Sequence, residues 1–293
     1  MLDRKKNKIQ GYLLLLIPLG LIGIVGIYPL VRAFFLSFTD ATLYSTELHF
    51  LGFTNYHKLF GSSEFINALK HSVLLTTLSV LIQYFLGLII ALVLHHRTLK
   101  IFNFLTNFLM LPWIIPVAST VFMFNWMVQP GFGFFNMVFE SLGLTNLTGY
   151  WFGNINFAMP SIIMMHVWRN TPFYALVIFA SLKGIPKTLY EASSIDGANI
   201  LQQFFYITLP NIIYSSAVVI VLHVLWTFNN FDFVFLSTGG GPVGKTDVLA
   251  TLIYRQSWQY YSFGYASALG VIMFSIMLVF GIFYIISQRK ELG

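Results

Sequence analysis

The feature that most constrains this fold is an uncharged apolar run from Ile9 to Val31. A helix rises about 1.5 Å per residue, so about 20 such residues cross the roughly 30 Å hydrocarbon core of a bilayer. The run follows Arg4, Lys5, Lys6 and Lys8, as a signal-peptide core follows its basic start. A signal core is only about 7–15 residues long and ends at small residues. This run is longer, so it predicts a retained transmembrane helix. Similar runs recur near 70–94, 103–128, 157–181, 208–236 and 264–287. The expected architecture is all-α: a polytopic membrane protein of six transmembrane helices, with one domain over 1–293.

Composition supports this. The chain is 57% hydrophobic and 9% charged, against about 25% charged in soluble domains. So few charges cannot cover a soluble surface of this size, which excludes a soluble globular enzyme. The high hydrophobicity excludes disorder. Cysteine is absent, which removes disulfides, thiolate metal sites and cysteine nucleophiles. The net charge of +6 is first a topology signal, because cytoplasmic loops collect Lys and Arg. With the N-terminus inside, the inner segments hold Arg4, Lys5, Lys6, Lys8, Arg97, Lys100, Lys183, Lys187, Arg289 and Lys290. Outer segments and helix ends hold Arg32, Lys58, Lys70, Lys245 and Arg255. Both termini are therefore expected in the cytoplasm. Membrane lipid is the expected surroundings, and the basic excess calls for no nucleic acid. The outer loops, near 37–69 and 129–156, are too short for a folded external domain. Phe53–Phe60 reads either as a short amphipathic helix on the outer surface or as an irregular loop.

Gly239-Gly-Gly-Pro-Val-Gly-Lys-Thr246 fits the phosphate-loop pattern literally and follows a strand-like run, Phe233–Leu236. The topology puts it outside, where ATP is scarce. No second apolar run ending in an acidic residue offers a magnesium partner, and no βαβ pattern surrounds it. It is read as a Gly-rich turn.

The informative segment is 185–210. Pro186 suits a first helical position, so 187–195 is expected to be a short helix. Asp196-Gly197 is a turn signal. A second short helix is expected from Ala198 to about Ile207, with Pro210 starting the fifth span. Leu189 and the small residues Ala192, Ser193 and Ser194 suit a helix that enters a cleft in a partner. Glu191, mid-surface, can accept bidentate bonds from an Arg. A solvated interfacial loop is the alternative.

Glu191-Ala-Ser-Ser-Ile-Asp-Gly-Ala198, followed by Thr208-Leu-Pro210, resembles the EAA loop of permease subunits of bacterial ATP-binding-cassette importers, with Ser193 in place of the commoner second alanine. Leu111-Pro-Trp-Ile-Ile-Pro116 and Gly133-Phe-Phe-Asn136 resemble the third helix and following loop of the carbohydrate branch, the maltose-type permeases. So do Asn229-Asn-Phe-Asp232, Thr238-Gly-Gly-Gly-Pro242 and Gly264-Tyr-Ala-Ser-Ala268. The resemblance implies the MetI-like permease fold, with 185–210 as a coupling loop in which Leu189, Tyr190, Glu191, Ala192, Asp196 and Gly197 meet an ATPase. It implies a heterodimeric pore with a second homologous permease subunit, two ATPase subunits, and an extracellular or periplasmic sugar-binding protein that delivers a sugar substrate. This chain would be no enzyme and hold no cofactor or metal; ATP and magnesium would sit in the partner ATPase subunits.

Polar groups deep in a span are costly and face a pathway or one another. His166, Arg169, Asn170 and Phe173 share one helical face, as do His223, Thr227 and Asn230. Trp113 lies between Leu111 and Pro116. The resemblance implies substrate contacts at these positions and at Val117. Hydrogen bonding between helices is the alternative. Arg169 would pair with Asp232 or meet an anionic group on the sugar. An ion-driven transporter would need inverted repeats and midplane carboxylates, and Asp232 is the lone candidate. An intramembrane enzyme lacks a catalytic pair: His95-His96 fall at a membrane edge, and Glu191 and Asp196 in the loop.

Overall fold

A computed structural model of the protein describes residues 14–96 and 108–291. Arg4, Lys5, Lys6, Lys8, Arg97 and Lys100, and the starts of the first and third expected spans, lie outside the described residues. The described chain is helical, with no strand beyond one isolated bridge between Thr39 and Phe50. In chain order the elements are α1 (Leu14–Leu36), α2 (Thr54–Phe60), α3 (Ser63–His96), α4 (Leu111–Ile114), α5 (Val117–Met127), α6 (Phe134–Ser141), α7 (Ala158–Lys183), α8 (Lys187–Ile195), α9 (Ile200–Phe228), α10 (Asp232–Thr238), α11 (Leu249–Tyr254) and α12 (Phe263–Glu291). Four of these cross about a bilayer's width and are strongly apolar: α1, α3, α9 and α12. The fourth expected span is the 26-residue α7, whose polar residues make it less apolar.

Two compact units emerge. One joins the described residues through Phe65 to Leu252–Phe283. In it, α2 replaces the loop alternative at 53–60. Asn55 is buried and donates to the carbonyls of Ser37 (2.9 Å) and Thr39 (2.8 Å). Ser37 shares a 2.7 Å hydrogen bond with the Tyr56 hydroxyl. These bonds tie the chain just after α1 to α2. The most apolar window of α1 is 0% buried, so its side chains meet lipid or another chain.

The second unit holds Ile66–Thr251 with the described residues from Tyr284. Its larger core joins Leu75 of α3, Val121 and Phe124 of α5, Ile162 and Met165 of α7, and Phe233 and Val234 of α10. A second cluster joins Leu88 and Ala91 of α3, Ile178 and Leu182 of α7, and Ile212 of α9. Asn136 is 1% exposed and staples the loop after α5. Its amide nitrogen reaches the carbonyls of Val128, Gln129 and Gly149 at 2.9–3.1 Å, and its oxygen accepts from Gly149 N at 2.8 Å.

Three expected boundaries are corrected. The third span is not one helix: α4 and α5 are separated at Ile115-Pro116. A residue before proline is pushed out of the α region, and Ile115 is extended, with ψ 130. The fifth span does not run to 236. It ends at Phe228, and the strand-like run Phe233–Leu236 lies in the separate helix α10, whose Phe233 N–H is capped by the Asn230 side chain at 3.2 Å. Nor is there a separate helix at 198–207: α9 runs unbroken through Pro210. The missing proline N–H falls just beyond a π turn, Phe204–Thr208, where the i→i−4 ladder is already interrupted.

Gly87 lets α3 and α7 approach closely. A Cβ there would lie 2.5 Å from Tyr174 Cβ and 3.0 Å from Ala175 N. Gly87→Ala is therefore expected to lower the melting temperature of the purified protein, with a cost of about 1–3 kcal/mol typical of overpacking. An unchanged melting temperature would contradict the close packing.

Candidate functional site

The helix–turn–helix at 187–203 is built as a cap. Gly197 takes φ +80, which favours glycine. Its N–H donates to Ser194 O (3.2 Å), and Ala198 N–H donates to Ser193 O (2.9 Å). These are the two bonds of a Schellman ending for α8. Asn199 and Gln202 then form a reciprocal capping box that starts α9.

Side chains clamp the two helices together. Gln203 Nε2 donates to Ser193 Oγ (3.1 Å) and Ser194 Oγ (2.9 Å), and the Tyr190 hydroxyl bonds Thr208 Oγ1 at 2.9 Å. Tyr190 thus faces inward, whereas Leu189, Glu191, Ala192, Asp196 and Gly197 are exposed. Around them stand large apolar side chains open to solvent: Ile195 at 87%, Ile200 at 78% and Leu201 at 69%. An exposed apolar cluster of this kind marks a surface that another protein or the membrane covers.

At the far end of α9, His223 and Thr227 line one cavity of about 430 Å³ together with Trp113, Val117, His166, Arg169, Asn170 and Asn230. Phe173 does not line it but backs it, stacked on Trp113 with centroids 5.6 Å apart and lying 5.3 Å from the His223 ring. Residues from α4, α5, α7 and α9 that are distant in sequence thus meet at one place. Three lining residues escaped the sequence reading: Ile114, Trp226 and Phe233. Trp226 follows His223 by three residues and shares its face; the strand-like reading of 233–236 hid Phe233. A fourth, Gln83, stands behind the wall. It is fully buried, and its Nε2 lies 2.9 Å from His166 Nδ1 and 3.1 Å from His166 O.

Arg169 corrects an expectation. Asp232 is exposed and makes no ion pair with it. Arg169 Nε instead donates to the Ile115 carbonyl (3.0 Å), and Nη1 lies 3.4 Å from Asn170 Oδ1. Pro116 forces Ile115 out of the helix and frees its carbonyl, and Arg169 satisfies it. His223 Nε2 and Thr227 Oγ1 are buried without a hydrogen-bond partner. No cluster of metal-ligating side chains occurs among the described residues.

The phosphate-loop lookalike is a closed turn. The Thr246 hydroxyl is fully buried and shares a 2.7 Å hydrogen bond with Thr238 Oγ1, while Lys245 is exposed. A hydroxyl so engaged is not presented to a metal–phosphate group.

The sequence pattern of the family described as "binding-protein-dependent transport system inner membrane component" matches residues 83–291. The chain is 34% identical to a probable ABC transporter permease protein, YurN, of Bacillus subtilis, covering 93% of this chain and 94% of that one. It is 33% identical to the sulfoquinovosyl glycerol transport system permease protein SmoG of Agrobacterium fabrum, over 95% and 90%. It is 31% identical to the trehalose/maltose transport system permease protein MalF of Thermococcus litoralis, over 94% and 92%. A crystal structure of a bacterial ABC transporter that imports the acidic polysaccharide alginate shares the fold, with TM-score 0.86, 24% identity and 98% of both chains covered.

Arg169→Lys keeps a charge but removes Nε. It is expected to orphan the Ile115 carbonyl and destabilise the purified protein by about 1.5–3 kcal/mol, the range for a hydrogen bond to a charged group. Thermal unfolding reads this; wild-type stability in the lysine variant would contradict it.

Proposed function

Because the chain belongs to the binding-protein-dependent transport system inner membrane components, we propose that it is the permease subunit of an ATP-binding-cassette importer for a di- or oligosaccharide. The observation that carries the reading is that one continuous helix, α9, bears both the exposed helix–turn–helix at one end and the cavity near the other. A push at 187–203 therefore reaches His223 and Thr227 along one helix, with Asn230 just past its end. The segment 185–210 acts as the coupling loop within a single transmembrane domain. The exposed face of α8, with Leu189, Glu191 and Ala192, docks into an ATPase subunit; the clamp through Tyr190 and Gln203 passes the displacement on. Two such ATPase subunits, a second permease subunit and an external sugar-binding protein complete the transporter. Both termini lie in the cytoplasm.

Carbohydrate is favoured by the lining chemistry. Trp113 and Trp226 offer apolar faces to a sugar ring, while His166, Arg169, His223 and Thr227 offer hydrogen-bonding groups to its rim. The relatives named for trehalose, maltose and sulfoquinovosyl glycerol transport point the same way. The chain performs no catalysis and binds no nucleotide; ATP is hydrolysed in the partners.

Glu191→Ala is expected to reduce ATP-driven sugar uptake by the assembled transporter at least tenfold, on the order of a lost charged hydrogen bond. Gly197→Asp is expected to do the same by disturbing the cap of α8. Sugar binding by the external protein should be unchanged in both. Wild-type uptake in Glu191→Ala would overturn the coupling assignment.

A further inference from the structure

We propose that Gln83 is a positioning residue: from α3 it holds the His166 ring as the Nε2–H tautomer, so that the cavity wall presents a donor at this point and selects a sugar oxygen that accepts. The proposal rests on the reading of the cavity as the carbohydrate site.

Two acceptors decide the amide's orientation. One terminal atom of Gln83 lies 3.1 Å from the His166 carbonyl oxygen and 2.9 Å from His166 Nδ1. A carbonyl only accepts, so the atom beside it must be the NH2 group; an amide oxygen there would face another oxygen. The same NH2 then donates to Nδ1, which must carry a lone pair. A neutral imidazole has one proton, so that proton is on Nε2. An imidazolium would set an N–H against the amide N–H.

The arrangement is specific rather than generally satisfying for the amide. Gln83 Oε1 is buried with no hydrogen-bond partner, so the hydrogen bonds of this side chain go to His166. His166 is itself buried, packs edge-on against Phe233 at 5.0 Å, and lines the cavity with Nδ1 committed to α3. Nε2–H is the ring N–H left for a ligand. The cavity lining contains no Asp or Glu side chain. With Arg169 nearby, this part of the wall is rich in donors. The complementary ligand feature is an acceptor oxygen: a ring, glycosidic or carboxylate oxygen of a saccharide.

The first test needs no ligand. The assembled transporter is prepared in lipid nanodiscs with 15N-labelled histidine, and the His166 signals are identified by their loss in His166→Phe. Wild type should show the Nε2–H pattern. Gln83→Leu should give a mixture of tautomers, and Gln83→Glu should move the proton to Nδ1. A wild-type Nδ1–H pattern, or signals unchanged in both variants, would overturn the proposal. The second test uses uptake in proteoliposomes with the binding protein, the probe being radiolabelled maltotriose, cellotriose or digalacturonate, whichever the wild type accumulates. Gln83→Leu should raise KM about tenfold, the size of one net hydrogen bond, with kcat within about twofold. In the His166→Phe background it should add nothing. If His166→Phe leaves KM unchanged, the cavity is not the sugar site and the function reading fails. If His166→Phe raises KM while Gln83→Leu does not, or if the two effects multiply, only the role of Gln83 fails.

Discussion

A peptide carbonyl facing the hydrocarbon of a bilayer has no water to bond to, so a break in a spanning helix must be satisfied within the protein or at a cavity it encloses. The Ile115-Pro116 break is the place where this constraint shapes the molecule. Proline displaces Ile115 from the helix, the freed carbonyl takes a hydrogen bond from Arg169, and α4 is thereby tied to α7. Trp113 and Val117, on either side of the break, are delivered to the same cavity as His166 and Asn170. The guanidinium is thus part of the scaffold before it is anything else. Its remaining N–H groups stand at the wall of the cavity without a carboxylate partner among the described residues.

The second dependency runs along α9. A separate amphipathic helix on the membrane surface would be hinged at Pro210. Instead the π turn at Phe204–Thr208 carries the helix across that proline, and the Tyr190–Thr208 and Gln203–Ser193 bonds lie on either flank of the turn. On the proposed reading, this continuity lets a motor outside the membrane act on a site within it. The exposed Ile195, Ile200 and Leu201 beside the clamp fit a surface that is covered in the assembled transporter.

Much of the fold was legible in the sequence, because apolar length and charge placement are direct records of the solvent a helix sits in. The helix–turn–helix was legible because Pro186 and Gly197 each have local backbone jobs; the Asn199–Gln202 capping box that starts α9 was not read from the sequence. The helical spacing of His166, Arg169 and Asn170, and of His223, Thr227 and Asn230, placed each set on one face, and the structure brings both faces to one cavity. What stayed hidden depends on contacts between elements. Periodicity cannot tell that Arg169 meets a backbone carbonyl rather than Asp232. Nor can it show that Gln83, two spans from His166, reaches its ring. The short run 233–236 was ambiguous between strand and buried helix, since four apolar residues carry no period.

The central claim is that coupling loop and cavity belong to one alternating pathway. The chain has no cysteine, so Thr227→Cys gives it a single thiol in the cavity, and the same assembly with Thr227 intact supplies the background. The direct measurement is its reactivity toward a membrane-impermeant thiol reagent applied from either side of sealed vesicles, without nucleotide and with ATP trapped on the ATPase subunits. The account predicts labelling from the cytoplasmic side without nucleotide and from the outer side with ATP trapped. Labelling from the same side in both states would contradict it.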